Sequence, residues 1–259
     1  MVLSTRNGTD QRRIVVGHQP QYLPHLGLFN KIAKGGAFVF VDNVQYQKKS
    51  WQNRTLIKGL DGKEISLTIP VQTKGRFSQR IRDVEIVDLH ALRKHLKTIR
   101  LNYQKTVGYD EVMPRITKWY EQNVKYLVDV TIPLMRECFE LLGIQNEIFI
   151  GTELGLEKSK TELLIEICQK TNFNTYLSGQ GAKDYLQPKL FEDQNLTHLY
   201  NEYEPPTYRQ TGRNFLKGMF ALDLLFNEGT ERAREIFWAN VCTITEKQVV
   251  PERSCVVGV

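Results

Sequence analysis

The segment HQPQYLPH, residues 18–25, sets two histidines, two glutamines and a tyrosine around Pro20 and Pro24. Imidazole titrates nearest to neutral pH, so His18 is a candidate general base. The prolines would stiffen the loop and present His18 and Tyr22 to a ligand at little entropic cost. The competing reading makes His18 a strand cap and the prolines ordinary turn formers. A second polar stretch, DNVQYQKKSWQNR, offers Asp42, Gln45, Tyr46, Asn53 and Arg54. A guanidinium there could grip a carboxylate or phosphate in two-point fashion, or Asn53 and Arg54 could be a plain surface pair. A third, SGQGAKDYL, carries Ser178, Gly179, Gly181 and Tyr185. It lacks both common glycine-rich phosphate patterns, although backbone amides near Gly179 could still receive negative charge.

Other chemistries find no support in the spacing. His90 and His95 miss the i, i+4 step of a helical metal pair, and no HExxH or CxxC occurs. No GxSxG marks a nucleophile elbow. The YEPPTYRQ segment (203–210) could roof a pocket with Tyr203, Tyr208 and Gln210, or simply pack beneath one. Asp223 and Asn227 sit in a very apolar helical pattern and need partners if buried.

The elements that would position these residues read as α/β. Residues 13–17 form a β-branched strand, and Leu26, Phe29, Ile32 and Ala33 recur at helical spacing before Gly35–Gly36. Residues 37–41 make a second strand, and a short β–α–β crossover implies parallel pairing. Two alternating runs around Asp61–Gly62 predict a hairpin, followed by a short strand in IRDVEIVD. Residues 89–142 read as a helical insertion broken at Gly108 and Pro114, with Pro133 in the first turn of its last helix. Then EIFIG, TYLSG and LTHLY read as strands, interleaved with a helix over KTELLIEICQK capped by Ser159 or Thr161. Two helices follow, the first closed by Gly229. The expectation is a Rossmann-like, mostly parallel α/β fold with a hairpin extension and a helical insertion. One domain would span 12–240, between a leader at 1–11 and a tail at 241–259. Ligands of open α/β sheets bind beyond the carboxyl ends of strands. His18, Asn53 or Arg54, and Ser178 or Tyr185 should therefore line one pocket.

Composition narrows the class. The 259 residues are 41% hydrophobic and 25% charged, as in soluble globular proteins, and the net charge is +6. The basic residues are dispersed, which suits small anions better than nucleic acid. No apolar run approaches the about 20 residues of a membrane span. Cys138, Cys168, Cys242 and Cys255 are scattered, and the first two fit buried thiols in a reducing cytoplasm.

The segments HQPQYLP, FVFVDNVQYQKKSWQNR, LTIPVQ, HLKTIRLNY, YLSGQGAKDYL, YEPPTYRQ and FALDLLFNEG occur in that order over residues 15–229. Together they resemble the WbqC-like family of bacterial proteins. His25 departs from the pattern, where tryptophan is frequent, which argues against an obligatory catalytic role for it. The resemblance implies a biosynthetic protein of O-antigen, capsule or natural-product pathways. It further implies an acyl or aminoacyl, glycine-type, transferase acting on a sugar or small metabolite. The resemblance carries over residues of these motifs without their roles; of them, His18, Asp42, Arg54 and His95 are read as the catalytic set. Gln19, Tyr22, Lys31, Gln45, Tyr46, Asn53, Tyr103, Ser178, Gly179, Tyr185, Tyr208 and Asp223 would bind substrate. No metal and no cofactor are implied, and the donor would be an activated sugar or a carrier-bound acyl group. Two alternatives stand beside this: a nucleotide-dependent transferase or ligase, and a non-catalytic accessory protein whose Lys48–Lys49 or Lys94–Lys97 surface docks an acidic carrier.

Overall fold

The computed structural model describes residues 13–212 and 214–241. The leader at 1–11, the tail beyond Val241, and Cys242 and Cys255 lie outside them. The chain runs β1 (Ile14–His18), α1 (Leu26–Ala33), β2 (Ala37–Phe40), β3 (Arg54–Lys58), β4 (Glu64–Thr68), α2 (Leu89–Tyr103), α3 (Tyr109–Tyr120) and α4 (Val128–Leu142). It continues as β5 (Glu147–Ile150), α5 (Lys160–Thr171), β6 (Thr175–Ser178), α6 (Pro188–Glu192), β7 (Thr197–Tyr200), α7 (Ala221–Glu228) and α8 (Thr230–Asn240). Five strands form a parallel sheet in the order β5-β2-β1-β6-β7, and β3 and β4 form a separate antiparallel hairpin. The α/β expectation holds, with the hairpin turning at Gly62, whose φ of +79° lies in the left-handed region that glycine tolerates.

Parallel strands covered on both faces are apolar throughout, and β1 and β2 divide their side chains between two cores. Val16, Phe38 and Phe40 face α1, α4 and α7, whereas Val15, Ala37, Val39 and Val41 face α5 and α6. The first core centres on Phe139 of α4, within 5.6–6.1 Å of the Phe29, Phe38 and Phe40 rings. The helices at 89–142 thus supply one wall of the sheet's main core. Cys138 and Cys168 are buried free thiols.

Several local expectations are corrected. Pro114 does not break the helical run; it lies inside α3 on an exposed face, where the Asp110 carbonyl left without its helical donor faces solvent. Pro133 lies beyond the first turn, because α4 starts at Val128. IRDVEIVD is not a strand: a 3-10 turn at Ile81–Asp83 gives way to single bridges from Glu85 to Tyr126 and from Ile86 to Val71. Ser159 is the N-cap of α5 but makes no side-chain cap bond. Thr161 lies inside that helix, and its hydroxyl accepts from Gln187 N and donates to the Tyr185 carbonyl.

The central strands part at one point. β1 pairs with β2 as far as His18 opposite Phe40, and β6 with β7 as far as Ser178 opposite Tyr200. Between β1 and β6 the register ends at Val15 opposite Tyr176. Beyond it the Tyr176 hydroxyl bridges the gap, accepting from Gly17 N at 3.2 Å and donating to Gly17 O at 3.3 Å. A Cβ on Gly17 would lie 2.6 Å from that hydroxyl and 3.1 Å from Ile167 Cδ1. Gly17→Ala should therefore cost about 1–3 kcal/mol through overpacking. Tyr176→Phe should cost less in the Gly17→Ala background than in the parent, because it removes the clashing atom. Additive losses in chemical denaturation of the four proteins would show that the two residues do not collide.

Candidate functional site

α1 leaves β1 towards one face of the sheet, and α6 follows β6 on the other. The crevice where neighbouring connections diverge is the usual ligand site of an open α/β sheet. Here it holds a cavity of about 230 Å³, lined by Gly17 and His18 of β1, Lys31 of α1, Leu164 of α5, and Tyr176, Ser178, Gly179, Gly181, Ala182 and Tyr185 of β6 and the turn after it. Among the described residues, no carboxylate lines it.

Three of its polar side chains, His18, Lys31 and Ser178, are unusual. The His18 Nδ1 lies 2.9 Å from the Gln19 carbonyl, which can only accept, so Nδ1 carries the proton and Nε2 keeps its lone pair. Burial, and then the nearby Lys31 charge, hold His18 neutral and lower its pKa to about 3, against the opposing pull of the Gln19 bond. Lys31 is 6% exposed, reaches only the Gly17 carbonyl at 3.5 Å among the described residues, and is lowered to about 8 by burial. No carboxylate pairs with this buried ammonium among the described residues, an arrangement that is costly until a negative group approaches. The Ser178 hydroxyl lies 2.8 Å from Nε2 of His198 on β7. His198 is wedged between Phe191 and Tyr200, with ring centroids 5.1 and 4.5 Å away, and burial lowers it to about 4.

The loop that carries His18 is pinned along its length. Gln19 Oε1 accepts from Gln52 at 2.6 Å, and Tyr22 N donates to the Trp51 carbonyl at 3.0 Å. The buried Tyr22 hydroxyl meets His95 Nδ1 at 3.0 Å and the Tyr120 hydroxyl at 2.7 Å. Thr55 donates to Leu23 O, and Ala221 N to Pro24 O. His25 closes the loop as the N-cap of α1, its Nδ1 accepting from Gly27 N. At that end a larger, mainly apolar groove of about 500 Å³ opens, walled by His25, Trp51, Tyr203, Pro205, Tyr208 and Lys217.

The cavity thus unites His18, Lys31, Ser178, Gly179 and Tyr185, and leaves the other candidates elsewhere. Arg54 lies in a different hollow, with Gln21 and His25, where it donates to the Lys49 carbonyl and sits 5.3 Å from the Trp51 ring. Asn53 is spent inside the fold, its Nδ2 on the Ile69 carbonyl. The single pocket expected for His18, Ser178 and either Asn53 or Arg54 therefore contains neither of the last two, because the chain after β2 turns away into the hairpin. Asp42 accepts from both the amide and the hydroxyl of Thr152, which ties the exits of β2 and β5 together. Gln45 donates to the Phe77 carbonyl, and Tyr46 N to the Gln79 carbonyl. Tyr103, Tyr208 and Gln210 converge on buried Asp223 at 2.6–2.8 Å, anchoring the 203–210 segment to α7. Asn227 is likewise satisfied by Thr211 and the Asp223 carbonyl. The thiols stay out of the cavity, with Cys168 raised to about 12 and Cys138 higher still, both chiefly by burial.

His198 was not among the residues singled out in the sequence. Its alternation with Leu199 and Tyr200 marks only strand burial, and the register that brings it to Ser178 joins strands about 20 residues apart.

The model of the WbqC-like protein family matches residues 19–235. The uncharacterized protein Rv1507c of Mycobacterium tuberculosis is 31% identical over 215 residues, covering 82% of this chain and 93% of the relative. No solved structure matches the chain. Among the described residues, no helix is long and apolar enough to cross a membrane.

The histidines set an acid limit on stability. His95 is 8% exposed and burial lowers it from 6.5 to about 4. Between those values the unfolded chain binds the proton and the folded one does not, so stability falls as pH drops from 6.5 to 4. The loss from His95 alone should reach about 2 kcal/mol at pH 5, and His18 and His198 act in the same direction. Denaturant melts at pH 7 and pH 5 should show a smaller difference for His95→Gln than for the parent; equal differences would mean that the imidazole protonates in the fold.

Proposed function

The chain belongs to the WbqC-like protein family, and from that premise we propose that it is a transferase moving a small acyl or aminoacyl group from an activated donor to an amine or hydroxyl of a sugar or small metabolite. The observation that carries this reading is the meeting of His18 and Lys31, both without an acidic partner, in one cavity at the divergence of β1 and β6. In it, Lys31 binds the anionic part of the donor. Charge neutralisation there removes the Lys31 part of the suppression of His18, the larger part being burial, and the free Nε2 takes the proton from the attacking amine or hydroxyl. Size supports a small group: about 230 Å³ is below the roughly 300–1,000 Å³ of sites for drug-sized ligands. The neighbouring aromatic groove has room for the larger acceptor, and exposed Lys48 and Lys49, close in sequence to Trp51, suit an acidic carrier of the donor.

Nucleotide-dependent chemistry is the second reading, favoured by the position of the crevice at the strand divergence. The cavity is small for a nucleotide, and SGQGAKDYL supplies no phosphate-loop pattern.

Acetyl phosphate is a probe of suitable charge and size. It should raise the melting temperature at pH 7, and its affinity should fall roughly tenfold by pH 9 as Lys31 loses its proton near pH 8. Lys31→Met should remove the effect, whereas an ordinary exposed lysine would give the same affinity at both pH values. Affinity undiminished at pH 9, or stabilisation that persists in Lys31→Met, would overturn the assignment. With a turnover assay in hand, His18→Gln should retain binding and lose about 10²–10⁴-fold in rate. Because His18 stays neutral down to about pH 3, the free protein should show no ascending kcat/KM limb between pH 5 and 7.

A further inference from the structure

We propose that Ser178 is the nucleophile of this cavity and carries the acyl group as a covalent ester, with His198 as its base. The inference rests on the transferase reading above and specifies a two-step course for it. The Ser178 side chain lines the cavity, and its Oγ lies 2.8 Å from His198 Nε2, within the reach that nucleophile and base require. The pair spans two hydrogen-bonded strands: Ser178 is registered opposite Tyr200, and His198 opposite Tyr176, so both side chains stand on one face of the sheet. Phe191 and Tyr200 hold the imidazole between them, a task that a carboxylate performs in a triad.

The atoms balance over two steps. Oγ attacks the acyl carbon of the donor, its proton passes to His198 Nε2, and the leaving group departs with that proton, leaving an ester on Ser178. The acceptor amine or hydroxyl then attacks the ester carbonyl and loses its proton to His18 Nε2, while Ser178 Oγ departs and takes up that same proton, so both imidazoles end neutral. His198 is neutral and a weak base, lowered by burial to about 4, so it matches a donor whose leaving group departs readily. A thioester or an acyl phosphate qualifies; an amide does not. The two imidazoles divide the work, His198 serving the donor and His18 the acceptor.

The test is covalent labelling of the full-length protein with a short-chain alkyl fluorophosphonate. The hydroxyl of an activated serine forms a phosphonate ester and releases fluoride. One adduct should map to the peptide containing Ser178. Ser178→Ala should not label, and His198→Gln should label at least roughly tenfold more slowly at an unchanged melting temperature. Mapping on the parent protein does not depend on either variant folding. No adduct at Ser178, or labelling unaffected by His198→Gln, would overturn the proposal. The acetyl phosphate melts separate it from the reading it rests on. An unreactive Ser178 in a protein that acetyl phosphate stabilises removes the nucleophile and keeps the site. A reactive Ser178 in a protein that it fails to stabilise keeps the nucleophile and removes the substrate class.

Discussion

Where the connections of two neighbouring parallel strands leave on opposite faces of a sheet, a crevice opens beyond their carboxyl ends, and the parting of β1 and β6 beyond Val15 and Tyr176 governs the rest of this site. The parting leaves backbone polar groups of Gly17 without a strand partner, in a position too recessed for bulk water. The Tyr176 hydroxyl takes both bonds. That solution demands glycine at residue 17, since any side chain would meet the phenol oxygen. It also opens the space into which His18, Lys31 and Ser178 project. One topological constraint therefore sets a residue choice, a hydrogen-bond pattern and the location of the cavity.

The cavity is useful only if the His18 loop is rigid. Residues 19–25 contain a strained backbone, Leu23 at a φ of +47°, which a branched residue adopts only when its surroundings enforce it. Those surroundings are specific: the neck of the hairpin through Gln52, Trp51 and Thr55, helices α2 and α3 through His95 and Tyr120, and α7 through Ala221. Burial of Tyr22 raises its phenol pKa well above 10, so its hydroxyl remains a neutral member of the Tyr22–His95–Tyr120 cluster at any ordinary pH. His95, read as catalytic from the sequence, touches this loop and not the cavity. It positions the segment that carries His18.

What was legible in the chain follows from local physics. Apolar runs bounded by glycine marked β1, α1 and β2, Asp61–Gly62 marked the hairpin, and Gly229 closed α7. The errors share a cause, which is tertiary context overriding a local rule. Pro114 is tolerated because its unpaired carbonyl partner meets solvent, and IRDVEIVD is held as a turn because Val84 and Ile86 bond to Leu127 and Lys125 across the fold. The site divides in the same way. His18 and Ser178 could be read from strand ends, but the departure of Arg54 and the arrival of His198 depend on strand order and register, which local pattern does not encode. Asp42 shows the converse, a carboxylate in a suggestive motif whose oxygens are both committed to Thr152.

The electrostatics of the cavity set a limit on its chemistry. With no carboxylate in the lining among the described residues, no acidic group there offsets the desolvation of Lys31, and only the Gln19 carbonyl acts to raise His18 against burial. Such a cavity is a poor place to break a stable bond, since its bases are weak and its one cation lacks a counter-charge. An anion in the cavity would give Lys31 a partner and remove the Lys31 contribution to the lowering of His18, leaving the larger contribution of burial. On the proposed reading, binding of the anionic group would thereby be coupled to the protonation of His18, through two residues on β1 and α1 that line one cavity.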